Sequence, residues 1–206
     1  MSAMQPRIYL ASQSPRRREL LKQIGVHFEI LLMRSSPSRV IDVDETPHEN
    51  EPPEDYVLRV SQEKARFGAE ILHARNLPLH PVLAADTTVT LEGRIYGKPE
   101  NEKHAAEMLR EFSGREHQVL TAVAIALEQR VEVLLSRSSV RFTKLSEERI
   151  RRYVQTREYA DKAGGYAIQG QAGAFIERLE GSYSGVMGLP LFETVALLQR
   201  YSHPAP

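Results

Sequence analysis

No cysteine occurs among the 206 residues, and the formal charge is zero, with 27 basic residues against 27 acidic ones. The first absence excludes a disulfide framework, thiolate nucleophiles and thiolate metal sites. The second removes any global field that would draw the chain to nucleic acid or to a membrane surface, so a grip on a polyanion has to be local. No apolar run approaches the ~18 residues of a helical membrane span, and the N-terminus has no secretory apolar segment. The seven histidines show neither HxH nor HExxH spacing, so no zinc site is expected. Internal repeats and low-complexity tracts are missing too. The expectation is a soluble cytoplasmic protein that engages neither nucleic acid nor membrane. Its length suits one domain over residues 1–206, divisible into two lobes, with a frayed tail from 202 to 206. A chain of this size buries roughly 70% of its unfolded surface, enough for a real core.

The elements that are present alternate. Ile8 to Leu10 reads as a buried strand. Ser14 suits a helix N-cap, Pro15 a first helical position, and Leu20, Leu21 and Ile24 an apolar stripe that Gly25 ends. Phe28 to Leu32 is a second strand. Arg34 to Asp55 is a polar loop with four prolines and seven carboxylates, and a long helix runs from Pro53 or Glu54 to about Arg75. Pro81 to Ala85 is a short buried strand with Asp86 at its end, after which Thr87 to Leu91 continues extended to a Glu92-Gly93 turn. Asn101 caps a helix with Ala105, Met108, Leu109 and Phe112 on one face, closed by Ser113-Gly114. His117 to Ala126 pairs with Val131 to Phe142 as a hairpin, and Ser146 caps a helix to about Thr156. A glycine-rich loop spans Asp161 to Gly173. A second hairpin is expected between Phe175–Leu179 and Ser182–Met187 about Glu180-Gly181. Pro190 starts the last helix, whose apolar face includes Phe192, Val195 and Leu198. The pattern predicts an α/β fold with a mixed sheet flanked by helices.

Several residues break the pattern. Arg16, Arg17 and Arg18 occupy a helix's first turn, where free N–H groups are already partly positive and each added cation costs roughly 0.3–1 kcal/mol. Such a cluster makes sense if an anion sits there, since a strand-to-helix turn with amides, hydroxyls and guanidiniums cradles phosphate. It reads equally as a solvated basic helix end. Lys64 falls on the apolar stripe of Tyr56, Val57, Val60, Phe67 and Ile71, so it needs either an anion or a stem that reaches water. Asp86 at a strand's carboxyl end is placed to bind Mg²⁺ or take a proton from water, or simply to cap a turn. Lys98, between Gly97 and Pro99, is by itself an ordinary surface lysine on a rigid turn. The loop from Ala163 to Gly170 lets backbone approach a ligand closely, or is a plain flexible turn. It is not a Walker A loop, because Gln171-Ala172 stands where Lys-Ser/Thr would follow. Gln169 in that loop has an amide suited to a base edge. The acid-rich Asp42-Val43-Asp44-Glu45 reads as a solvated loop or as a further source of a metal ligand.

Together, Ala11-Ser12-Gln13-Ser14-Pro15-Arg16-Arg17-Arg18-Glu19-Leu20-Leu21, Asp44-Glu45-Thr46-Pro47, Glu63-Lys64-Ala65, Ala84-Ala85-Asp86-Thr87, Gly97-Lys98-Pro99, Asp161 to Gly170, and Gly181-Ser182-Tyr183 with Gly188-Leu189-Pro190-Leu191 resemble the Maf family of nucleotide pyrophosphatases. The resemblance runs from about Ile8 to Tyr201. It implies an elongated Maf/ITPase-like α/β fold, a mixed twisted sheet flanked by helices, with a cleft between two lobes. It also implies hydrolysis of a nucleoside triphosphate to the monophosphate and pyrophosphate with a divalent cation, Mg²⁺ or Mn²⁺. The loop Gly165-Tyr166-Ala167-Ile168-Gln169-Gly170 is similar to that of the subgroup associated with dTTP, UTP and modified pyrimidine nucleotides. By motif position the resemblance makes Asp86 the proton acceptor. It ties Arg16, Thr87 and Gln169 to substrate choice, and places Ser12, Arg17, Lys64 and Lys98 at further active-site positions. The metal ligands are not identified, and a homodimer is left open. Two departures stand out: Gln13 where a small residue is common, crowding the phosphate turn, and Gly185 in place of a frequent asparagine. An amide at Gln169 complements the O4/N3–H edge shared by uracil and thymine. Cytosine reverses that pattern, and a mismatched buried polar group costs about 1–3 kcal/mol. Alternatives are a pyrophosphatase for another nucleotide such as 7-methyl-GTP, or a non-catalytic nucleotide-binding regulator of septum formation.

Overall fold

The computed structural model describes residues 7–33 and 43–202. Residues 34–42 of the polar loop, Asp42 among them, and residues 203–206 of the expected tail lie outside the described residues. Ser202 closes the last helix.

The sheet begins with parallel pairing. β1 (Ile8–Leu10) leads through α1 (Pro15–Gln23) to β2 (Phe28–Ile30) on one side, and β3 (Val82–Leu91) reaches its other side after α2 (Pro53–Ala74). Everything after that is antiparallel. β4 (Arg94–Tyr96) folds back on the end of β3, and α3 (Glu102–Phe112) leads to the long hairpin of β5 (Glu116–Leu127) and β6 (Arg130–Phe142). After α4 (Glu147–Gln155), β7 (Ile176–Glu180) pairs with β6. The strand order is β2-β1-β3-β5-β6-β7, with β4 beside β3. The short α5 (Tyr183–Met187) and α6 (Leu191–Ser202) end the chain.

Alternation along β3 and β5 sorts the core onto two faces. Val82, Ala84, Ala124 and Ala126 pack against Ala65, Ala69 and Leu72 of α2. Leu83, Ala85, Val123 and Ile125 pack against Leu20 and Leu21 of α1 and Leu197 and Leu198 of α6. The alanines and Gly68 let α2 lie close to the sheet; a Cβ at Gly68 would stand 2.6 Å from Val82 Cγ1. A separate core under α3 and α4 is built on Phe112, Phe142, Tyr153, Tyr166 and Phe175. These cores make two lobes on one sheet.

Most expected elements are present, with caps as anticipated: Asn101 accepts from the His104 N–H and Ser146 from the Arg149 N–H. Three expectations are corrected. First, Ser182–Met187 is not a strand. The Ser182 hydroxyl accepts from the Gly185 N–H at 2.9 Å, which caps a helical turn, and Gly188 stops that turn in the left-handed region at φ +115°. Second, Asp86 is not at a strand end. It lies inside the ten-residue β3, which stays paired to β5 through Asp86↔Ala122 while its other neighbour changes. Third, Phe192 and Val195 are not on the buried face of α6. Phe192 is 83% exposed; Leu198 is buried as expected, but Thr194 and Leu197 share the core face with it.

Candidate active site

The site lies where β3 changes neighbours. On one side it pairs with β1 through Leu10↔Leu83, closed by the Ala11 N–H to the Leu83 carbonyl at 2.9 Å, and with β4 only from Val89 onward. Since alternate residues of a strand point their backbone groups to the same side, those of Ala85 and Thr87 turn to the intervening gap. Among the described residues no strand fills it. Ligand crevices in α/β sheets open at such switch points.

Asp86 and Thr87 stand at this gap on opposite faces of β3. Asp86 shares the face of Val82 and Ala84, which is the α2 face. There Lys64 Nζ meets Asp86 Oδ1 at 2.8 Å and Glu45 Oε1 at 2.8 Å. The inward lysine of α2 thus has two carboxylate partners, and snorkelling to water alone does not describe it. Burial raises the Glu45 carboxyl, but the ammonium of Lys64, with Lys98 and Arg17 beyond it, outweighs that and holds it below the usual range. Lys98 is exposed, and its charge acts on Glu45. The loop that carries Glu45 is tied down by Arg59, which pairs with Glu51 at 2.7 Å and donates to the carbonyls of Asp44 and Thr46.

On the other face, Thr87 Oγ1 is 3.0 Å from the Thr121 hydroxyl, which is also hydrogen-bonded to the Gly185 carbonyl at 2.8 Å. That chain fixes α5 against the sheet, and α5 in turn positions the basic helix start. Arg16 Nε donates to the Met187 carbonyl at 3.3 Å and Arg17 Nε to the Gly188 carbonyl at 2.8 Å. Arg17 Nη1 also donates to Ser12 Oγ at 3.3 Å, and Ser12 Oγ accepts the Ser14 N–H at 3.2 Å. The serine hydroxyl that engages the turn is therefore that of Ser12; Ser14 is the N-cap residue but makes no side-chain cap bond. Burial pushes the Arg17 guanidinium down, opposed by attraction to Asp86 and Glu45. No acid occupies the first turn of α1 to offset its arginines.

Gln169 is exposed and stands apart from the buried charges. Its loop reaches the basic helix through Asp161, whose charge attracts Arg16. In that loop Gly164, at φ +68°, leaves no room for a Cβ beside Val89, and its N–H donates to the Gly97 carbonyl at 3.0 Å. The two sequence departures cause no conflict. Gln13 is exposed and does not crowd the turn. A side chain at Gly185 would press on Ser182 and Ser136, so an asparagine there would need the hydroxyls to shift.

Structure therefore gathers Ser12, Arg17, Lys64, Asp86 and Thr87 around the gap, with Arg16 and Lys98 at its margin; Gln169, exposed on its own loop, is not among them. Four further contributors are not singled out by the sequence. Glu45 sits in a tract that reads as solvated loop or as a source of a metal ligand, because an acidic tract carries no sign of which acid turns inward. Thr121 was hidden in an apolar strand. The Met187 and Gly188 carbonyls were lost with α5, although Ser182 before Gly185, and Gly188 before Pro190, form a legible cap-and-stop signal. Among the described residues no group of three metal-ligating side chains occurs, and no helix is long and apolar enough to cross a membrane.

A family model described as Maf-like protein matches residues 7–201, and the chain belongs to that family. It is 54% identical over 205 residues to the dTTP/UTP pyrophosphatase of Aromatoleum aromaticum, covering 99% of this chain and 100% of that one. It is 55% identical over 199 residues to the dTTP/UTP pyrophosphatase of Nitrosospira multiformis (97% and 96% covered) and 56% over 192 residues to that of Nitrosomonas europaea (93% and 93%). In structure it is similar to the Staphylococcus aureus Ham1 protein, with a TM-score of 0.50, 14% identity and 95% and 97% of the two chains covered. At that identity the likeness concerns the fold.

Proposed function

We propose that this chain is a hydrolase that cleaves dTTP and UTP to the monophosphate and pyrophosphate. One observation carries the reading: Asp86 opens onto a gap in the sheet while cations approach it from both faces, Lys64 on α2 and Arg17 on α1. Hydrolysis at the α-phosphate needs an activated water and a stabilised pyrophosphate leaving group. Lys64 engages Oδ1 of Asp86, which leaves Oδ2 to take the proton of the attacking water. Arg16 and Arg17 spend their Nε donors on backbone carbonyls. That fixes the guanidinium planes; Arg17 Nη1 also holds Ser12 Oγ, and the donors left over serve the phosphates, with the amides of the α1 start beside them. Lys98 adds charge at the far side. Thr87 and Gln169 select the pyrimidine.

A divalent cation, Mg²⁺ or Mn²⁺, fits the donor set, because the Asp86 and Glu45 carboxylates converge beside Lys64 and together outnumber its single charge. Hard cations of this kind bind through one or two carboxylates plus substrate phosphate. Asp86 and Glu45 would hold the ion, which when bound neutralises phosphate charge and acidifies water. The deciding assay supplies dTTP, UTP, CTP and 7-methyl-GTP with each metal and identifies the products. Monophosphate and pyrophosphate from dTTP and UTP are expected, with Asp86→Asn folded but nearly inactive. Release of single phosphate, or tight binding without turnover, overturns the proposal; near-wild-type turnover by Asp86→Asn removes Asp86 as the base.

A further inference from the structure

A base-reading amide has to be held to a fraction of an ångström, yet Gln169 lies on no helix or strand. Its position is set by a turn. The Gly170 N–H donates to the Ala167 carbonyl at 3.1 Å, which puts Gln169 at the third position of an Ala167–Gly170 turn. Immediately before it, Tyr166 is buried, and its hydroxyl lies 2.8 Å from His117 Nε2 on β5. The Gly165 carbonyl next door accepts from the Tyr153 hydroxyl at 3.3 Å.

His117 is an unexpected residue in that place. It is 1% exposed, stacked on Phe112 with ring centroids 4.5 Å apart and edge-on to Phe142 at 4.9 Å. Its Nδ1 is buried with no hydrogen-bond partner among the described residues. A phenylalanine of similar shape would fill the site without an unpaired buried nitrogen, so packing alone does not account for the imidazole. The hydrogen bond that the imidazole does make goes to the loop that presents Gln169.

We propose that His117 is a positioning residue for base selection, fixing the Gln169 turn through the Tyr166 hydroxyl. The inference rests on the reading of Gln169 as a pyrimidine contact. His117 touches no substrate, and its effect passes through one hydrogen bond and three residues of chain.

The test compares kcat/KM for dTTP and CTP in wild type, His117→Phe, Tyr166→Phe, their double variant, and each combined with Gln169→Ala. Loss of one positioning hydrogen bond is expected to lower the dTTP:CTP ratio by about 5–10-fold, chiefly through KM for dTTP. The double variant should fall no further than either single one, because both remove the same bond. In the Gln169→Ala background His117→Phe should leave the ratio unchanged. A general packing defect would instead lower kcat for both nucleotides and persist in that background. If Gln169→Ala abolishes discrimination while both single variants keep the wild-type ratio, the inference is overturned and the reading of the site stands. If Gln169→Ala keeps the wild-type ratio, the reading of Gln169 fails and the inference falls with it. Should His117→Phe not fold, Tyr166→Phe supplies the same comparison.

Discussion

Lys64 and Asp86, 22 positions apart, meet at 2.8 Å with their side chains only 13% and 10% exposed. Glu45 shares the same ammonium. Removing the lysine leaves the buried Asp86 carboxylate without its partner and beside the half-exposed carboxylate of Glu45. Lys64→Met is expected to destabilise the fold by about 3 kcal/mol, since an uncompensated buried charge costs more than the pair contributes. It should also lower kcat/KM by roughly 10²–10³-fold. Urea unfolding of Lys64→Met, Asp86→Asn and the double variant checks the coupling: the double variant should regain most of the stability and none of the activity.

Gly188 holds a left-handed backbone at φ +115°, and its carbonyl holds Arg17. A methyl group there meets Thr87 Oγ1 at 3.6 Å and Arg17 Nε at 3.8 Å, which is ordinary contact. The penalty for Gly188→Ala is therefore conformational, about 1–3 kcal/mol. Relaxation of the backbone should rotate the carbonyl away from Arg17. A raised KM for dTTP, with kcat less affected, is the expected kinetic signature.

Burial pushes the His117 imidazole down to about 3 from 6.5. Between those values the unfolded chain binds a proton that the native state refuses. The associated stability is complete above about pH 6.5 and is lost as pH falls toward 3, with a slope approaching 1.4 kcal/mol per pH unit. Denaturation midpoints measured from pH 7 to pH 4 should show this slope in wild type. His117→Phe should remove its share and be the less acid-sensitive protein.

If Glu45 and Asp86 hold the divalent cation, chelation should abolish turnover. Glu45→Gln should raise the half-saturating Mg²⁺ concentration by about 10-fold or more, the scale of losing one ligand charge. Activity titrated with Mg²⁺ and with Mn²⁺ reads this directly. An unchanged metal requirement in Glu45→Gln would remove that residue from the site.

Phe192 is 83% exposed whereas Leu197 is fully buried on the same helix. Phe192→Ser should change stability by less than about 0.5 kcal/mol. Leu197→Ala should cost about 2–5 kcal/mol. Thermal melts of the two variants distinguish this helix orientation from the one that the apolar pattern predicts.

Much of the fold was legible because periodicity and caps agree locally. The β5–β6 hairpin, α2 and the caps at Asn101 and Ser146 lie close to their expected places. What sequence hid depends on neighbours far along the chain. Asp86 looked terminal because apolar residues stop there, but β5 keeps the strand extended and β1 alone ends. The α6 stripe departs from the apolar pattern because Thr194 is buried and bonds back to the Pro190 carbonyl at 2.7 Å, so a polar residue occupies a core position while Phe192 does not. At the site, Lys64 announced itself by interrupting an apolar stripe. Glu45 had no such signal, because its role is set by the far partner it meets.

Interrupting a β-sheet usually creates a hazard, since bare peptide groups along an edge invite a strand from another molecule. Here the interruption on β3 is bounded by β1 at one end and β4 at the other. It is a notch only a few residues long, rimmed by guanidinium groups. A foreign strand cannot establish register in so short a length, whereas a compact anion fits between the two flanking strands. The stretch of β3 between its two partners is thus closed to a further strand, with Ala85 at its base fully buried.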